Sequence, residues 1–339
     1  MSDKVVTVFG GSGFIGRYVV QRLAKTGVRV NVAVRHVERA KFLKPMGNVG
    51  QITPISCDIT DADSVARAVQ GADAVINLVG ILYPSGHGHG FDEVHHQAAR
   101  TIAEAAKAVG ARALVHLSAI GADADSDSAY ARSKAAGEAA VREAFPEATI
   151  LRPSIVFGPE DAFFNRFGAM ARLSPALPLI GGGHTLFQPV YVGDVADAVL
   201  RALSDSKAQG KTYELGGPKT YSFKALMEVM LATIGRSRLL VPVPFCVADI
   251  QAAVLQLLPV PPLTRDQVAL LKRDNVVAEG ALTLADLGIE PTTLEVILPA
   301  YMERFRRDGH YSRYTGVTPR DRSAPAGQPP AAADTPRRA

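Results

Sequence analysis

Val5-Val6-Thr7-Val8-Phe9, followed without a break by Gly10-Gly11-Ser12-Gly13-Phe14-Ile15-Gly16, decides the fold. The first run is β-branched and aromatic, and it reads as a buried parallel strand. The second is a glycine-rich turn that feeds a helix-periodic stretch, Phe14 to Lys25. Glycines between strand and helix let backbone N–H groups approach a pyrophosphate, and the helix N-terminus then faces its negative charge. The spacing Gly10, Gly13, Gly16 therefore predicts a dinucleotide site whose first contacts are Gly10, Ser12, Gly13, Phe14, Ile15 and Gly16.

The second strand, Arg29 to Val34, bears on which dinucleotide is held. An NAD site places Asp or Glu at that strand end, on the ribose 2′-hydroxyl. This chain has Arg35 there, then His36. A guanidinium suits a 2′-phosphate, to which it donates paired charged hydrogen bonds. NADP(H) is the expected cofactor, ahead of NAD(H), and Arg17 stands close enough in sequence to add a second positive charge.

Strand and helix patterns alternate outward from this start. Strands are expected at Val5–Phe9, Arg29–Val34, Ile52–Ser56, Ala74–Leu78, Ala113–Leu117 and Ala148–Leu151. Helices are expected at Phe14–Lys25, Ala62–Val69, Phe91–Val109 and Tyr130–Phe145. That is βαβ repetition, and it predicts an α/β, Rossmann-type doubly wound parallel sheet. Residues 1–158 form this domain, with 187–215 returning to it through a strand at Phe187–Val192 and another at Lys211–Leu215. Residues 159–186 and 216–308 form a smaller, discontinuous, mainly helical lobe, and 309–339 a disordered basic tail rich in Pro, Ala and Arg.

From Glu303 onward eight arginines stand against four acids, so the tail alone accounts for the net charge of +4. The body is nearly neutral, which argues against a nucleic-acid-binding face. Met1-Ser2-Asp3-Lys4 leads straight into the first strand with no signal-peptide pattern, and Cys57 and Cys246 are too few and too distant for a disulfide framework. Both point to the cytoplasm. His87, His89, His95 and His96 draw attention as metal ligands, but glycines flank the first pair and no cysteine joins them, so no metal is expected. Asp92 and Glu93 more simply start the next helix. Phe245–Leu258, bracketed by prolines, reads as a helix of 14 residues. It would span roughly 21 Å against the ~30 Å of a bilayer core, so it packs in the second lobe or lies on a membrane or neighbouring subunit.

Tyr130-Ala131-Arg132-Ser133-Lys134 is a Tyr-x-x-x-Lys pair, which puts both side chains on one helix face. An ammonium beside a phenol favours tyrosinate, the form needed by a general acid/base, so Lys134 is expected to lower the Tyr130 pKa. With these residues the chain resembles the extended and atypical short-chain dehydrogenase/reductases over about its first 300 residues. The further matching pieces are Asp58 in CDITD, Asn77-Leu78-Val79-Gly80, Leu151-Arg152-Pro153 and FQPVYVGDVA. Within that superfamily it resembles the NADPH-binding accessory subunits of respiratory complex I, the alpha subcomplex subunit 9 family. FGGSGFIGRYVVQRL and SAYARSKAAGEAAVREAFPEATILRPSIVFG carry that likeness.

The resemblance implies that Asp58 and Ile59 lie by the adenine, and that Leu78, Val79 and Gly80 line the cofactor. It places Ser118, Tyr130, Lys134 and Pro153 at its nicotinamide end, with the loop Ser154–Gly158. It implies complex I subunits as partners, a structural nucleotide, and a peripheral place on the cytoplasmic face of the inner membrane, with 245–258 as a contact. One departure matters. Catalytic members carry Ser or Thr about two residues into the turn after the fifth strand, where it polarises the substrate carbonyl. This chain has Ile120 there, and Ser118 is the nearest substitute. Two functions stay open: a nucleotide-binding accessory or assembly subunit, or an active NADP-dependent reductase or epimerase. The latter would use Tyr130 and Lys134 on a small carbonyl, sugar-derived or isoprenoid substrate.

Overall fold

The computed structural model describes residues 4–84 and 90–307. His87, His89 and the tail 309–339 lie outside the described residues. Seven parallel strands form the main sheet: β1 Val5–Phe9, β2 Arg29–Val34, β3 Ile52–Ser56, β4 Ala74–Asn77, β5 Ala113–Leu117, β6 Thr149–Pro153 and, late in the chain, β11 Thr212–Leu215. Their spatial order is β11-β6-β5-β4-β1-β2-β3. The order reverses between β1 and β4, so the crevice at the carboxyl ends of those two strands is where such a sheet takes its ligand.

Helices cover both faces. α1 Phe14–Lys25 buries Val19, Val20 and Leu23 against Val6, Val8, Val30 and Val32. α2 Ala62–Val69 starts at Asp61, whose side chain accepts from the Asp63 N–H. α2 packs on the opposite face with α3 Ala98–Ala108, around Phe9, Val75, Ile102 and Leu114. α3 is entered through a π-type turn, Asp92–Gln97. α4 Ala129–Ala144 begins at Ser128, whose hydroxyl accepts from the Ala131 N–H, and it carries Tyr130 and Lys134.

The second lobe comprises β7 Val156–Phe157, α5 Phe163–Leu173, β8 Ala176–Ile180, β9 Leu186–Phe187 and β10 Val190–Tyr191, after which α6 Val192–Ser204 returns to cover the main sheet beside α1. After β11 follow β12 Tyr221–Ser222, α7 Phe223–Thr233, β13 Leu239–Val243, α8 Phe245–Leu255, α9 Arg265–Leu270 and α10 Leu294–Met302. Its core is aromatic, with Phe157, Phe164, Phe187 and Phe223 packed with Met227, Met230 and Leu298.

Two expectations are corrected. The strand at 187–192 is two short ladders outside the main sheet, β9 with β12 and β10 with β7. Pro189 supplies no N–H, and the Gln188 side chain turns to Gly217 and Val277, so pairing stops between them. The helix at 245–258 ends at Leu255. The segment Val37–Met46 winds as a tight 3-10 turn after β2.

Candidate nucleotide-binding site

The glycine turn lies at the β1/β4 crevice. Gly10 adopts φ +75, and a Cβ on it would stand 3.1 Å from the Leu78 carbonyl carbon and oxygen. A Cβ on Gly16 would lie 2.3 Å from the Gly10 oxygen, so α1 can approach the turn only with glycine there. The Gly13 N–H donates to the Gly10 carbonyl at 3.0 Å. The turn after β4 is braced from the other side by Asn77, whose Oδ1 accepts from the Val79 N–H at 3.1 Å. Leu78 and Val79 are thereby brought against Gly10, while Gly80 faces the Lys134 ammonium.

Arg35 is exposed at the end of β2 and forms no ion pair among the described residues. Arg17 is not free in the same way. It pairs with Glu160 at 3.4 Å and stacks over the Phe42 ring at 5.1 Å. Glu160 also accepts from the Tyr18 hydroxyl at 2.8 Å. Asp58 is exposed at the end of β3, where its Oδ1 accepts from both the N–H and the hydroxyl of Thr60. Ile59 packs beside it against the α2–α3 face.

At the other end of the crevice stands a buried polar cluster. Lys134 is buried and donates to the Leu117 carbonyl at 3.2 Å, with its Nζ 3.3 Å from where a Gly80 Cβ would be. Burial draws its pKa down to about 8, against the opposing pull of Glu138. Glu138 is clamped by Arg152 at 2.7 and 2.8 Å. The Ser118 hydroxyl is buried with no partner among the described residues. Ile120 is buried, its N–H spent on the Pro153 carbonyl at 3.0 Å.

Tyr130 corrects the expected pKa direction. Its phenol is pushed up to about 12, first by burial and then by the negative Asp266. The ring lies edge-on to Phe91 and His95. Without a compensating charge nearer the oxygen, the neutral phenol is the stable form.

Both ring nitrogens of His95 have protein partners. Its Nε2 accepts from the Ile81 N–H at 3.0 Å, so Nδ1 carries the proton and donates to Ser133 at 2.9 Å. His96 pairs with Asp92 at 2.9 Å. His116, missed by the sequence reading, lies buried on β5 and accepts at Nδ1 from Asn77 at 3.2 Å. Burial lowers His95 to about 2 and His116 to about 3. Both sit below the usual 6.5, so as pH falls under 6.5 the unfolded chain takes up protons that the native state refuses, and stability drops. The loss per histidine should reach about 2 kcal/mol between pH 6.5 and 5. Urea unfolding at the two pH values measures it, and His95→Asn should flatten the dependence.

Asn275 and Asp266 were also missed. Asn275 Nδ2 donates to the Ile120 carbonyl at 3.3 Å, and Asp266 accepts from the Ala129 N–H at 2.6 Å. Only the Thr264…Gln267 capping box marked that region in sequence.

A dinucleotide suits these residues. The glycine cradle is space that a Cβ would fill, and the Ser118 hydroxyl is a buried group still lacking a partner. The chain belongs to the NAD dependent epimerase/dehydratase family, whose model matches residues 6–216. A UDP-glucose 4-epimerase of Thermotoga maritima shares the fold, with a TM-score of 0.67 at 19% identity over 90% of this chain and 99% of that one. Within the family, the chain is 39% identical over 321 residues to the mitochondrial NADH dehydrogenase (ubiquinone) 1 alpha subcomplex subunit 9 of Arabidopsis thaliana, covering 91% of this chain and 80% of that protein. It is also 36% identical over 219 residues to the ceramide reductase of Caulobacter vibrioides, covering 62% of this chain and 67% of that protein.

Proposed function

We propose that this chain binds NADP(H) and serves as an accessory or assembly subunit of respiratory complex I, with the nucleotide chiefly holding the fold together. The observation that carries the reading is Ile120. The nucleotide cradle is intact, while the place of a carbonyl-polarising hydroxyl holds a buried apolar side chain whose N–H is already spent. Losing such a donor typically costs roughly 3–4 kcal/mol of barrier. Similarity to the complex I subunit along nearly the whole chain supports the partner.

In this reading Gly10, Ser12, Gly13, Phe14, Ile15 and Gly16 take the pyrophosphate, Asp58 and Ile59 the adenine, and Arg35 the 2′-phosphate. Leu78, Val79, Gly80, Ser118, Tyr130, Lys134 and Pro153 line the nicotinamide side. Bound NADP(H) would supply a hydride if any reduction occurs. As a ligand of the native state alone, it stabilises by linkage. Arg35→Ala should weaken NADPH roughly 10- to 100-fold in a fluorescence titration and leave NADH within about twofold.

The contact face of the reading is around α8. Among the described residues, eight of the fifteen exposed large apolar side chains lie between Leu239 and Val260, including Val247, Ile250 and Val254 on α8. No helix among the described residues is long and apolar enough to cross a membrane. In the proposed reading the face lies on a neighbouring subunit or on the cytoplasmic surface of the inner membrane.

The unpartnered Ser118 hydroxyl favours a second reading, an NADP-dependent reductase in which Tyr130 gives the proton and Ser118 holds the carbonyl. Native-gel fractionation of mildly solubilised host membranes decides between them. Comigration with NADH dehydrogenase activity is expected. Recovery only as a free protein would overturn the subunit reading in favour of the reductase.

A further inference from the structure

The segment 264–278, which follows the apolar helix, crosses back over the nicotinamide end of the site. At its start, Asp266 accepts from the Ser128 hydroxyl at 2.9 Å and from the N–H groups of Ala129 and Tyr130 at 2.6 and 3.3 Å. These N–H groups open α4 and have no partner within the helix, and a carboxylate is the group their dipole favours. Farther on, Arg273 pairs with Asp123 in the turn between β5 and α4 at 2.7 Å. The Asn275 side chain then takes three partners. Its Oδ1 accepts from the Ser154 hydroxyl at 2.7 Å and the Ile155 N–H at 3.1 Å, and its Nδ2 donates to the Ile120 carbonyl at 3.3 Å.

One short segment thus fastens three separate parts of the site: the start of the Tyr130 helix, the Ile120 turn and the loop after β6. The adenine half is built on other elements, the ends of β1, β2 and β3. A cleft of about 490 Å³, lined by Asp127, Asp249, Arg265 and Lys272 among others, opens between α8, α9 and the start of α4. The polar contacts of Asp266 therefore hold α4 to α9 at the margin of an open space rather than within a filled core.

We propose that Asp266 and Asn275 are positioning residues for the nicotinamide half of the dinucleotide site, holding Tyr130, Ile120 and Ser154 in register for the bound ligand. The inference rests on the reading of the chain as an NADP(H) binder. It separates the two halves of one ligand. Asp266→Asn and Asn275→Ala should each weaken NADPH by about tenfold or more, since hydrogen bonds to a charged or multiply bonded group are lost. Both should leave 2′,5′-ADP, which carries only the adenine half, within about twofold.

The test is isothermal titration of the full-length chain and both variants with NADPH and with 2′,5′-ADP, alongside thermal melting. Loss of NADPH affinity with 2′,5′-ADP retained supports the assignment. Equal loss of both ligands, or of neither, overturns it and leaves the contacts as general fold stabilisation. If one variant does not fold, the other gives the same comparison. A wild-type chain that binds neither ligand overturns the NADP(H) reading itself, a result distinct from any variant effect.

Discussion

Replacing Gly137 by alanine is expected to lower the melting temperature by roughly 5–10 °C. A Cβ at that position would stand 2.0 Å from the His95 carbonyl oxygen, far inside any allowed contact. Neither side can give cheaply. Gly137 is in the buried face of α4, and His95 is in the π-type turn, held by Ser133 and by the Ile81 N–H. Overpacking of this kind typically costs about 1–3 kcal/mol and more when backbone must move. The relief available is for α4 to retreat, which carries Lys134 off the Leu117 carbonyl. NADPH affinity should therefore fall together with the melting temperature. A melting curve equal to wild type would mean that the two helices do not meet at this point.

Lys134→Met should separate stability from binding, moving them in opposite directions. The ammonium is buried, and the desolvation that draws its pKa to about 8 is a direct cost to the ligand-free fold. A methionine of similar length removes that cost, so the variant should melt higher without nucleotide, by the equivalent of about 1–3 kcal/mol. It should bind NADPH about tenfold or more weakly, since a buried cation that can donate to ribose hydroxyls is gone. The pH dependence gives an independent reading. Between the folded value of about 8 and the usual 10.5, the unfolded chain binds more protons than the native one, so native stability from this group rises with pH. Wild type should gain stability relative to Lys134→Met as pH is raised from 8 to 10. Parallel curves across that window would show that Lys134 is not desolvated.

What could be read in advance follows from range along the chain. The glycine turn, Arg35 at the β2 end and the Tyr130–Lys134 pair each rest on spacings within one βα unit, and the strands and helices of the first half come out within a few residues of expectation. Hydrophobic periodicity is a local signal, and those elements are locally determined. Asn275 reaches Ile120 across 155 residues of sequence, and Asp266 reaches Ala129 across 137. Nothing near either residue announces its partner. The Tyr130 pKa was misjudged for a related reason. The sequence places Lys134 one helical turn away, but only the fold buries the phenol and brings Asp266 to the start of the same helix.

The two borders of the main sheet bear on how this chain behaves in company. β3 is one border, and its Cys57 end donates an N–H inward to Val34. Alternation then turns residues 52, 54 and 56 outward, and the middle one is Pro54, which has no N–H to offer. β11 is the other border, and there Leu282 bridges to Tyr213 and accepts from the Glu214 N–H. One margin is broken by an imino acid and the other is capped by the chain itself. Self-recruitment strand to strand, the usual route from an open sheet to aggregates, is hindered on both sides. In the proposed reading, association falls instead to the exposed apolar side chains around α8, where a partner can be chosen.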